Sequence, residues 1–147
     1  MSKSRPGKIT TPKLSKAAQK LRSQINATYP KRDKSSDGWV GDTRHQARPS
    51  DHNPDATGMV RAIDVDADLT KRYKDASWDL AEELRLAAKV GDKRISYIIH
   101  YGKIASPRMG WKWRTYKGNP HAHHIHISFT PSGDNDGKPF QVESLKK

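Results

Sequence analysis

His121-Ala122-His123-His124-Ile125-His126-Ile127-Ser128-Phe129 decides how this chain is read. Four of its seven histidines fall in this stretch. Side chains along a β-strand alternate between faces with a period of two. An extended 124–129 segment therefore shows His124, His126 and Ser128 on one face and Ile125, Ile127 and Phe129 on the other. The apolar face calls for a core. The imidazole face is a platform for a metal, because neutral imidazole is the commonest protein ligand for zinc.

A second source of ligands lies upstream, between Ser50 and Asp66. Residues 60–66 also alternate, with Ile63 and Val65 on one face and Ala62, Asp64 and Asp66 on the other. Paired beside the histidine strand, this segment brings a carboxylate and an imidazole to one cleft. His52 precedes the turn signal Asn53-Pro54-Asp55 and Gly58, and can fold back to join them. Two His and one Asp leave one tetrahedral position for water, which is the pattern of a catalytic rather than a structural zinc. Asp66 shares a face with Asp64 and is a competing ligand.

The order Ser50, His52, Gly58, Ala62-x-Asp64, His124-x-His126 resembles the zinc peptidases of the lysostaphin, D-alanyl-D-alanine carboxypeptidase and hedgehog fold. His121-x-x-His124-x-His126 looks most like the penicillin-insensitive murein endopeptidases. Ser50-Asp51-His52-Asn53-Pro54, Tyr97-Ile98-Ile99, Trp111-Lys112-Trp113-Arg114 and Asn119-Pro120-His121 resemble small peptidase domains of actinobacterial phages. The likeness covers roughly residues 38–130. Two departures stand out. Eleven residues separate His52 from Asp64, more than the family pattern has. The acidic residue that carboxypeptidase members place three positions before the last His is here His123 or His121.

The resemblance implies zinc held by His52, Asp64 and His126. It implies hydrolysis of an amide bond in bacterial wall peptides, as in a phage lysin, and assigns acid–base work or transition-state stabilisation to His124, with His121 as its partner. Arg44 or Arg48, with Ser50, would orient substrate, since arginine pairs bidentately with the carboxylates that wall peptides carry. His100, at a strand position beside Ile98 and Ile99, reads as structural.

Bulk properties set limits. A chain of 147 residues is one domain by default, and 33% apolar content allows a modest core. There is no cysteine, hence no disulfide and no thiolate-ligated zinc. No run approaches the ~18 apolar residues of a membrane helix. The basic start Met1–Lys8 leads into no apolar segment, so no secretion signal is expected. The resemblance then implies synthesis in the host cytoplasm and action on the wall after release, or carriage on a virion. A net charge of +12 points to an anionic partner, either wall polymer or nucleic acid.

The expected organisation is a basic tail over 1–11, one zinc-peptidase-like domain over 12–130, and a polar basic tail over 131–147. Thr11-Pro12 is a candidate start for a helix over 12–27, with Leu14, Ala18, Leu21 and Ile25 at helical spacing. A second helix is expected over 76–89, capped by Asp75 and stopped near Gly91. Strands are expected over 95–101, 111–116 and 124–130. The fold class is α+β: a small antiparallel sheet with flanking helices, like the hedgehog and D,D-peptidase folds.

Two other readings remain open. His124-Ile125-His126 also resembles the histidine–hydrophobic–histidine strand of the HUH endonucleases, which hold a divalent metal and use a Tyr nucleophile on single-stranded DNA; the basic charge suits that partner. The other is a non-catalytic module of the peptidase fold that binds zinc or wall without cutting.

Overall fold

The computed structural model describes residues 12–39, 58–118 and 122–145. Their elements run β1 (Lys13–Leu14), α1 (Lys16–Thr28), β2 (Met59–Val60), β3 (Ala62–Asp66), α2 (Ala76–Lys89), β4 (Ile95–His100), β5 (Lys103–Ala105), β6 (Arg114–Thr115) and β7 (His124–Phe129). Five strands form an antiparallel sheet in the order β3-β7-β4-β5-β6. The small parallel pair β1–β2 stands apart from it. The architecture is α+β, as expected.

The histidine strand is central, with β3 on one side and β4 on the other. Its alternation sorts the two faces. Ile125, Ile127 and Phe129 join Ile63, Val65, Ile95 and Ile98 in one buried cluster with Leu21 and Ile25 of α1 and Leu80 and Leu84 of α2. Each such side chain contributes about 1.5–3 kcal/mol by leaving water, which pins the register: a one-residue slip would turn the apolar row outward.

α1 begins later than its periodicity suggests. Lys13 and Leu14 pair with Met59 and Val60, which keeps them extended. Ser15 then caps the helix, its side chain accepting from the Ala18 N–H at 3.4 Å. α2 has the expected bounds, and Asp75 stands at its N-cap position without a side-chain cap bond. The expected 111–116 strand shrinks to Arg114–Thr115, because Gly110 and Trp111 both have positive φ, 64° and 63°, and turn the chain first.

The segment after Thr130 is not the tail that its composition suggested. Phe140, Val142 and Leu145 are buried in the same core. Gln24 ties this segment to α1 by donating to the Phe140 carbonyl at 3.0 Å and accepting its N–H at 2.8 Å. Arg94 lies 3.9 Å over the Phe140 ring and forks onto Asp92. Three well-spaced apolar side chains in a polar segment were enough to fold it back. Among the described residues, no helix is long and apolar enough to cross a membrane.

Candidate functional site

The sheet face opposite the helices carries Asp64, Asp66, His124 and His126. Antiparallel register places Asp64 directly across from His126, and Asp66 across from His124. On the other side of β7, Tyr97 faces Ser128 and Ile99 faces His126. Directly opposed residues share a face.

Asp64 Oδ1 is the hub. It lies 3.1 Å from His126 Nδ1 and 3.5 Å from His124 Nε2. The Asp64 backbone is itself fixed by Gly38, which exchanges two hydrogen bonds with it at 2.7 and 3.1 Å. His126 is nearly buried. Its Nε2 lies 2.8 Å from Ser128 Oγ, and its ring stacks on Tyr97 with centroids 5.4 Å apart. A hydroxyl can donate or accept, so Ser128 serves either tautomer of this imidazole.

Asp66 shares that face and does a different job. Its Oδ2 accepts the Ser36 N–H at 3.0 Å and the Ser35 hydroxyl at 3.3 Å, and Oδ1 accepts the Asp68 N–H at 2.9 Å. The Ser36 hydroxyl lies 2.7 Å from Asp66 Oδ2 and 2.9 Å from the His123 carbonyl. Burial works against the charged carboxylate, but the donors of Asp68, Ser36 and Ser35 together outweigh it and hold its carboxyl below the ordinary range. Arg32, forked onto Asp37, holds the same loop, and Asp37 Oδ1 accepts the Asp66 N–H at 2.7 Å. Asp66 is therefore a loop anchor, and Asp64 is the aspartate placed among the imidazoles.

His100 is structural, as expected. It is fully buried on the helix side. Its Nδ1–H donates to the His124 carbonyl at 3.1 Å, so Nε2 accepts the Ser77 hydroxyl, also at 3.1 Å. This ties α2 to the start of the histidine strand.

A cleft of about 720 Å³ opens beside Asp66, bounded by the 33–36 loop, Ala67–Thr70, Tyr101 and His123. Asp64, His124 and His126 do not line it.

The structure thus brings Asp64, His124 and His126 together. His52, His121, Arg44, Arg48 and Ser50 lie outside the described residues. Reading the residues alone missed the Ser35–Ser36–Asp37 loop that saturates Asp66 and the Tyr97 ring against His126. The period-two rule applied to β4 would have placed Tyr97 on a face, but not beside His126 without the strand order.

Carboxylate oxygen and imidazole nitrogen are donors of the type zinc takes. The 3.1 and 3.5 Å separations around Asp64 Oδ1 are hydrogen-bond and ion-pair distances. Among the described residues, no group of three His, Cys, Asp or Glu side chains is placed to hold a metal ion.

No family model, curated protein or solved structure matches this chain.

Proposed function

We propose that this protein is a zinc-dependent peptidase that hydrolyses an amide bond in the peptides of the bacterial cell wall, with a hedgehog/D,D-peptidase-like sheet. The observation that carries the reading is the convergence of His126 and His124 on one oxygen of Asp64, on the sheet face away from the core.

Asp64 and His126 would hold the zinc, with His52 as the third ligand. When bound, the metal supplies Lewis acidity and a water of lowered pKa. The chain's own residues do the rest. With Nδ1 turned to the metal, His126 would donate Nε2–H to Ser128 Oγ, 2.8 Å away, which would fix its tautomer and ring plane. Tyr97 packs on the ring and limits its rotation. His124, two residues along on the same face, takes the proton of the attacking water or stabilises the oxyanion. His121, Arg44, Arg48 and Ser50 keep the supporting roles that the resemblance gives them: partner to His124 and orientation of the substrate's carboxylates.

The test is substitution. Asp64→Ala and His126→Ala are each expected to lower wall-peptide release by about 100-fold or more. A loss of less than about tenfold in both would remove the assignment.

A second reading has one observation behind it. Tyr97 places a phenol ring beside the His-x-His strand, and a metal-dependent nuclease of this kind uses a tyrosine nucleophile. It predicts nicking of single-stranded DNA that Tyr97→Phe abolishes.

A further inference from the structure

We propose that the β5–β6 edge docks the peptide substrate, with Arg114 taking a substrate carboxylate. This rests on the peptidase reading above. The strand registers form one continuous row across the sheet: Asp64 opposes His126, His126 opposes Ile99, Ile99 opposes Ile104, and Ile104 opposes Arg114. Opposed residues share a face, so Arg114 stands on the same face as the Asp64–His126 pair, at its far edge.

The span fits a peptide. Three strand steps of about 4.8 Å separate His126 from Arg114, roughly 14 Å. An extended arginine side chain reaches back about 6 Å, at about 1.5 Å per bond. The remaining ~8 Å corresponds to two or three residues of extended chain. A carboxylate that far from the scissile bond meets a planar guanidinium suited to bidentate capture.

The surroundings share its sign. Residues 101–118 contain Lys103, Arg108, Lys112, Arg114 and Lys117 and no acidic residue. All five are exposed. Among the described residues none of them makes an ion pair, whereas Arg32, Arg61, Arg85 and Arg94 are each forked onto a carboxylate. A substrate bearing carboxylates is drawn to the β6 edge.

The experiment uses the full chain and a synthetic wall stem peptide, with its carboxylates either free or amidated. Arg114→Gln should raise KM for the free peptide about tenfold or more and change kcat less than about threefold. Amidation should raise the wild-type KM to a similar degree and leave that of Arg114→Gln unchanged. Lys89→Gln/Lys93→Gln, a charge loss of equal kind at exposed positions elsewhere, should leave KM unchanged. An unaltered KM in Arg114→Gln, or equal sensitivity to amidation in both proteins, would overturn the proposal. If the chain cleaves no wall peptide, the peptidase reading fails separately, and calorimetric binding of the same peptide pair to Asp64→Asn, with and without Arg114→Gln, decides the docking claim. Binding that ignores the carboxylates would sink it. So would single-stranded DNA binding that alone responds to Arg114.

Discussion

Replacing Asp66 by Asn separates the two aspartates that alternate on β3. The Asp66 carboxylate accepts two backbone N–H groups and lies within reach of two hydroxyls, joining the 35–36 loop to the Asp68 turn. Asn has nearly the same shape but one acceptor oxygen. If that oxygen faces Ser35 and Ser36, the new amide group faces the Asp68 N–H, and one hydrogen bond is lost. The remaining bonds lose the charge that makes them worth about 1.5–3 kcal/mol rather than about 0.5–1.5 kcal/mol. Because the serines can turn to water, a net loss of about 2–3 kcal/mol is expected. For a chain of this length that lowers Tm by about 6–10 °C. Calorimetric titration with zinc should find affinity within about threefold of wild type in Asp66→Asn, and at least about 100-fold weaker in Asp64→Asn. Asp66→Asn that keeps its Tm and loses zinc would refute the division of labour between these residues.

Ser128→Ala removes the hydroxyl 2.8 Å from His126 Nε2 and should weaken zinc binding about tenfold with the fold intact, by circular dichroism and zinc titration; unchanged affinity would show that the hydroxyl does not position the ring. Phe140→Ala should cost about 3–5 kcal/mol in urea unfolding, since the ring is 2% exposed within the core; a loss below about 1 kcal/mol would mean that the 131–145 segment adds little to the fold. Acid should destabilise the protein. Asp66 and Asp92 are buried against ionisation, but their hydrogen-bond donors, with Arg94 foremost for Asp92, hold both carboxyls below the ordinary range; the Arg85 hydrogen bond does the same for Glu82. Such groups contribute stability that is present above the ordinary carboxylate pKa of about 4 and lost as pH falls through the lower folded values. The urea midpoint should therefore fall as pH drops below about 4 and continue to fall toward the lower folded values, and a flat midpoint would contradict the assignment.

The sheet was legible where side-chain period and burial agree. Ile125, Ile127 and Phe129 could only face a core, so His124 and His126 had to face away from it, and Ile63 and Val65 placed Asp64 in the same way. α2 was legible because Leu80, Leu84 and Ala88 repeat at helical spacing. The start of α1 was not, because a short pairing between Lys13–Leu14 and Met59–Val60, 46 residues apart in register, holds residues extended that periodicity would wind into a helix. The role of Asp66 was also hidden. Its partners Ser35 and Ser36 lie about 30 residues away, and only the folded loop shows that they saturate it. Phe140, Val142 and Leu145 form no period of strand or helix, and the segment is held by long-range contacts with Gln24, Glu83 and Arg94 that no local pattern records.

The central claim is best tested by incubating the protein with purified peptidoglycan, with chelator and then with added zinc, and identifying the products by mass spectrometry. The account predicts release of peptide fragments that stops with chelator, returns with zinc, and names the amide that is cut. Intact peptidoglycan under all conditions, in a protein shown to have bound zinc, would contradict it.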